Sequence, residues 1–219
     1  MDFFKQLFSP GSGSTLVDAA FAEVSGMLSQ SALMLDHSLE VLLENQPVSM
    51  DLEELDDMVD EAERRVRRTI LQHLAVNPKQ DLVASLVLVS MVQDAERIGD
   101  FARGLVELMK MARSPRTGPF ADDLRREAAK LRPLFEITER AFRKADKAQA
   151  RKVIRAHKEL RAELKAYRTR VAESDLTADM AIVYSGAAQI LRRVGAHLSN
   201  ICSTVVQPYD RIRHGDEDL

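Results

Sequence analysis

An all-α protein built as two tandem three-helix bundles is what this sequence predicts, and three observations carry the prediction. Apolar residues recur at three- and four-residue intervals along most of the chain, and no segment shows the sustained alternation of a strand. Glycine and proline are scarce, 9 and 7 in 219 residues, and they gather at breaks between the periodic stretches. Those breaks leave three long segments, a linker and three more, and the ends of the two halves can be laid over one another.

Residues 1–14 are an N-terminal apolar segment followed by the Gly/Ser linker Ser9-Pro10-Gly11-Ser12-Gly13-Ser14. Helical periodicity then runs from Thr15 to about Asn45, with Phe21, Val24, Leu28, Ala32, Leu35, Leu39 and Leu42 on one stripe, and Pro47 ends it. Ser49 is the expected N-cap of a second helix, which carries Leu52, Leu55, Val59, Val66 and Ile70 on one side. Asn77-Pro78 breaks it. A third helix, Lys79 to Arg113, is apolar nearly all round from Leu82 to Val92, which suits a central position. The first bundle is thus 15–113, and Ser114-Pro115-Arg116-Thr117-Gly118-Pro119 is the mid-chain linker. The second bundle, 120–207, should hold helices near 120–145, 147–173 and 176–207, with a polar tail at 208–219. Glu96-Arg97-Ile98-Gly99-Asp100 falls opposite Arg192-Arg193-Val194-Gly195-Ala196, sharing Arg and Gly. That period, on the order of 100 residues, exceeds any solenoid unit.

Composition narrows the function. With 45% hydrophobic and 30% charged residues the chain can bury a core and stay soluble, and a formal charge of −3 offers no basic bulk for nucleic acid. Cys202 stands alone, so no internal disulfide is expected; a cytoplasmic location follows, at most peripheral to the inner face of the cell membrane. No apolar run approaches the ~20 residues of a membrane span or forms a signal peptide. The histidines lack the Glu-x-x-His pairs of di-iron bundles, Gly11-Ser12-Gly13-Ser14 lacks the lysine and strand of a phosphate loop, and no nucleophile–base pattern is present. The chain does not read as an enzyme. The basic run from Arg151 to Arg170 reads as a solvated helix face.

The chemistry is concentrated in carboxylates. Glu96 and Asp100 are four apart, on one helix face with Leu82, Leu86 and Val89, so they should continue an apolar stripe toward the core. Acids in that position are costly unless paired or metal-bound. Asp56 and Asp60 are also four apart, at the edge of the second helix's stripe, with Glu63 beside them. Antiparallel packing of the two helices would bring the four together. Arg97, Arg64 or Arg67 could then neutralise them as an ion-pair network, or the oxygens could bind a cation.

Asp94-Ala95-Glu96-Arg97-Ile98-Gly99-Asp100-Phe101-Ala102 resembles the signature at the end of the third helix in the PhoU family of phosphate-uptake regulators. The resemblance takes in Asn77-Pro78, Asp81-Leu82 and Leu55-Asp56-Asp57-Met58-Val59-Asp60, and more loosely Ala145 to Ile154, Arg193-Val194-Gly195 and Asn200-Ile201, about residues 15–207 in all. It implies metal binding by Asp56, Asp60, Glu96 and Asp100, with Glu63 as a further ligand, for manganese, iron, zinc or magnesium. It also implies a membrane phosphate transporter or a phosphate-sensing histidine kinase as partner, a homodimer, and a regulatory, non-catalytic role. The alternative is a carboxylate-rich helical metalloprotein or metalloenzyme unrelated to phosphate. The second half departs from the pattern: where acids are expected stand His157, Arg161, Arg192 and Ala196. Arg161 and Arg192 should lie close together there, with an acid such as Glu159 or Glu163, or an anion, between them. Finally, Phe3, Phe4, Leu7 and Phe8 would form one apolar helix face, a docking segment for a partner or membrane surface, if they do not fold back on the bundle.

Overall fold

The computed structural model describes residues 15–79 and 81–212. Within them lie seven α-helices: α1 (Thr15–Leu43), α2 (Leu52–Val76), α3 (Leu82–Met109), α4 (Pro119–Ala129), α5 (Arg132–Arg143), α6 (Lys147–Ala172) and α7 (Ala178–Val206), then a 3-10 turn at Tyr209–Arg211. There are no strands among them. Helices α1 to α3 pack on one another, α6 and α7 pack along their length, and α3 lies against α7.

Three expectations are refined. The segment predicted as one helix over 120–145 is two, because Pro133 has no N–H to give and its ring would strike the carbonyl four residues back, at Ala129. The chain turns through a tighter step there, with Leu134 N–H bonding to Leu131 O at 2.9 Å. The cap of α2 is Asp51, whose carboxylate accepts from Glu54 N–H at 3.0 Å, while the Ser49 N–H donates to His37 Nε2. The third helix starts at Leu82, after Asp81 in a left-handed conformation, φ 55°.

α3 is central, as its composition suggested. Val87, Leu88, Met91, Val92, Ala95, Ile98, Ala102 and Leu105 are buried against α1, α2 and α7. The stripe that carries Leu82, Leu86 and Val89 is not the core face, however: Leu82 and Val89 are 45% and 36% exposed. A helix apolar all round does not reveal by periodicity which arc is innermost, and the neighbouring helices chose the Leu88–Met91–Ala95–Ile98 arc.

The mid-chain linker is stitched to the first bundle. The Arg116 guanidinium donates to the carbonyls of Val41 and Leu42 at 2.9 and 2.8 Å, and Arg125 donates to Leu43 O at 2.9 Å. These carbonyls end α1 and have no helical N–H to receive, so cations from the second half satisfy them and meet the negative end of the helix dipole. Burial lowers the Arg116 pKa from its usual value.

Candidate functional site

The first repeat's acids meet across α2 and α3. The two helices run so close that a Cβ added at Gly99 would lie 3.5 Å from Asp56 Oδ1. Asp56 is buried, and the Glu96 side chain is only 15% exposed, so both acids sit at the rim of the core on the flank of α3. Asp56, Asp60, Glu63, Glu96 and Asp100 form one patch, answered by four arginines. Arg103 bridges the helices, Nε to Asp56 Oδ2 at 3.1 Å and a second nitrogen to Asp100 Oδ1 at 3.6 Å. Arg97 contacts Asp100 at 2.8 Å and Glu96 at 3.4 Å. Arg64 pairs with Asp60 at 3.4 Å and Arg67 with Glu63 at 2.7 Å.

Arg103, which ties α2 to α3, is missing from the sequence reading. Its signal was present: it stands three residues past Asp100, one helical turn. Compensation is incomplete. Burial first, then the charge of Asp100, with Glu63 and Asp60 adding, push the Glu96 carboxyl up to about 7 against the opposing pull of Arg97. Burial also raises Asp56, with Asp100, Asp60 and Asp57 adding and Arg103 opposing. As the side chains stand, no three His, Cys, Asp or Glu groups among the described residues are gathered as a metal site. The donor set is nonetheless all oxygen, of the kind hard cations take.

The second repeat places His157 where the first has Asp56. Gly195 is the counterpart of Gly99, and a Cβ added there would stand 2.9 Å from His157 Nδ1. That nitrogen is buried and has no hydrogen-bond partner. Burial, then Arg161, Arg192 and His197, lower the His157 pKa to about 4. Arg161 and Arg192 line one cleft between α6 and α7, as expected of neighbours, with Lys165 and Arg168 beside them. Arg161, Lys165 and Arg168 are exposed, as a solvated helix face should be, and they also line this cleft. Glu163 does not enter between the arginines: it pairs with Lys130 at 2.6 Å.

The repeats are joined at a polar contact that sequence reading passed over. Asp94, 3% exposed, accepts from Asn200 Nδ2 at 3.1 Å and lies 2.8 Å from His197 Nδ1. Phe101 packs on the His197 ring, centroids 5.5 Å apart, and Arg193 lies over Phe101. Phe3, Phe4, Leu7 and Phe8 lie outside the described residues. No described helix is long and apolar enough to cross a membrane.

This arrangement defines a class, a tandem helical bundle with an acidic patch in one repeat and a basic cleft in the other. Residues 24–109 match the family model of the PhoU domain. A crystal structure of the phosphate transport system regulatory protein PhoU from Streptococcus pneumoniae superposes with a TM-score of 0.76 at 15% identity, over 93% of this chain and 98% of that one. PhoU from Pseudomonas aeruginosa gives 0.77 at 20% identity, over 87% and 95%. In sequence, the Thermotoga maritima protein named phosphate-specific transport system accessory protein PhoU homolog 1 is 26% identical over 206 residues, 88% of this chain and 85% of its own length. Residues 24–109 are therefore similar to the PhoU domain, and the fold is that of PhoU proteins.

Proposed function

We propose that this protein regulates phosphate uptake or phosphate signalling without catalysing a reaction, by binding a membrane phosphate transporter or a sensor kinase. The observation that supports it best is the PhoU domain over residues 24–109, together with the accessory role that the Thermotoga maritima relative's name states. The protein acts from the cytoplasmic side as a homodimer, and Phe3, Phe4, Leu7 and Phe8 contribute the docking segment. A bundle pair of this kind shifts its partner's equilibrium only by binding one conformation better than another. Deleting the gene should raise phosphate uptake or phosphate-starvation signalling. Unchanged uptake, polyphosphate and starvation-gene expression at high and low phosphate would end this reading.

The first-repeat patch is the metal site of this reading. Asp56, Asp60, Glu96 and Asp100, with Glu63, would hold manganese, iron, zinc or magnesium once the Arg97 and Arg103 heads turn outward to solvent. The ion would supply positive charge and open coordination positions for oxygen ligands. The all-oxygen character of the donor set supports this. Titration calorimetry should give binding to the wild type and a loss in Glu96→Ala with Asp100→Ala. Equal heats in both proteins would leave the patch as an arginine-compensated ion network.

A further inference from the structure

The cleft between α6 and α7 has a volume of about 680 Å³. Arg161, Lys165, Arg168 and Arg192 line it, and none of these four cations is paired with a carboxylate among the described residues; Glu173 is the one acid in the wall. The contrast with the first repeat's acidic patch is sharp, since each of its five acids meets an arginine. Two of the four cations are held by neighbouring side chains. Arg168 Nε donates to Ser185 Oγ at 3.1 Å and its terminal nitrogen to Gln189 Oε1 at 2.7 Å, while Arg192 Nε donates to the same Gln189 oxygen at 3.2 Å. Gln189 Oε1 is therefore an acceptor shared by two guanidinium groups, and its amide N–H₂ and the Ser185 hydroxyl remain as donors. Crowding of like charge is evident, because Arg161, Arg193 and Arg168 add to burial in lowering the Arg192 pKa. Such an assembly is stabilised when an anion enters.

We propose that this cleft binds condensed inorganic phosphate, pyrophosphate or a longer chain, through Arg161, Lys165, Arg168 and Arg192. The chemistry of the walls selects this class. Guanidinium forks match phosphate oxygens bidentately. The cleft falls in the volume range of ligand pockets, far more than one orthophosphate needs. No aromatic side chain lines it and Ala172 is its one apolar residue, so nothing is provided to stack a nucleobase or bury an acyl chain. The ligand must carry charge along its whole length.

This inference stands on the cleft and not on the transport reading, and its test is a binding measurement in vitro. Purified full-length protein is titrated with tripolyphosphate in chelator-treated, metal-free medium, so that the acidic patch cannot capture a metal–phosphate complex. Orthophosphate, sulfate and a polyglutamate peptide are run at matched ionic strength. Tripolyphosphate should bind more tightly than the other three and raise Tm, with affinity falling as salt rises. Arg161→Gln with Arg192→Gln should lose about tenfold or more in affinity and keep its helical circular dichroism. Lys152→Gln with Lys158→Gln removes the same charge elsewhere on α6 and should bind as wild type. Tripolyphosphate no tighter than sulfate, or equal losses in the two double variants, would overturn the proposal. Equal affinity for polyglutamate would overturn it in favour of a docking groove for an acidic protein segment.

Discussion

The first repeat sets Asp56 beside Gly99, and the second sets His157 beside Gly195. The backbone geometry is repeated while the charge is reversed. Around Asp56 five carboxylates are tied by Arg64, Arg67, Arg97 and Arg103; around His157 the cations Arg161 and Arg192 face each other without an acid. The two titrating groups respond as mirror images. Burial and neighbouring anions drive Glu96 up to about 7, whereas burial and neighbouring cations drive His157 down to about 4. Each is pushed to its neutral form, first by burial and then by neighbours of its own charged form's sign. A repeated scaffold can thus keep its packing and still exchange a patch of carboxylates for a cleft of cations.

The joint between the repeats is the place to break the comparison most severely. Arg116→Ala removes the donors to Val41 and Leu42 carbonyls and leaves α1 with buried unsatisfied acceptors. We expect a loss of about 2–3 kcal/mol in chemical denaturation, a change too large for a surface arginine. A loss under about 0.5 kcal/mol, as for an ordinary surface substitution, would mean that the linker carbonyls find other donors and that the two halves are less tightly coupled.

Acid sharpens the second repeat. His157 takes a proton near 6.5 in the unfolded chain but only near 4 in the fold. Between those values the unfolded state binds more protons, so stability rises with pH. The contribution is fully present above about 6.5 and is lost as pH falls toward 4, to the extent of about 2 kcal/mol after allowance for solvent. Glu96, raised to about 7, contributes the opposite slope over much of the same range, so the His157 share is read as a difference: between pH 7.5 and 4.5, His157→Leu should lose less stability on acidification than the wild type. An unchanged slope in the variant would place the acid sensitivity elsewhere.

Removing one arginine from each repeat should give effects of opposite sign. Arg103→Ala frees the half-buried Asp56 and Asp100 carboxylates and should cost about 1–2 kcal/mol, the low end for a broken pair because the guanidinium is itself half exposed. Arg161→Ala relieves like-charge crowding and should be neutral or stabilising by up to about 0.5 kcal/mol. Losses of equal size from both would mean that the second cleft has an acid partner after all.

A further comparison sets turn against turn. The first repeat uses Asn45 and Asp81 at positive φ, residues that tolerate the left-handed region, but the second uses Ala145 at φ 51°. Ala145→Gly should therefore stabilise by about 1 kcal/mol, read as a rise in Tm, and Asp81→Gly should gain less. If Asp81→Gly gains as much, the left-handed strain is not what distinguishes the two turns.

The helices, the linker and the repeat were legible because each rests on local chemistry: apolar spacing, Asn77-Pro78, Pro115 and Pro119, and the paired Arg-x-Gly at residues 97–99 and 193–195. The break at Pro133 was equally local and was passed over. The acidic pairs could be placed on helix faces by counting, and the approach of Arg161 to Arg192 could be expected by laying one half over the other. Counting could not say which arc of α3 faces inward, since Leu82 and Val89 are as apolar as Leu88 and Met91, and only the positions of α1, α2 and α7 distinguish them.

By itself, then, the sequence determined the elements, the duplication and the sign of the charge in each repeat, because those depend on residues near one another along the chain. Tertiary structure alone decided who neutralises whom. Arg103 reaches Asp56 across 47 positions of sequence, Asp94 meets Asn200 across 106, and Lys130 takes Glu163 away from the basic cleft. Ion pairing is set by the last few ångströms of distance and by the solvent excluded around it, and neither quantity exists until the helices have packed.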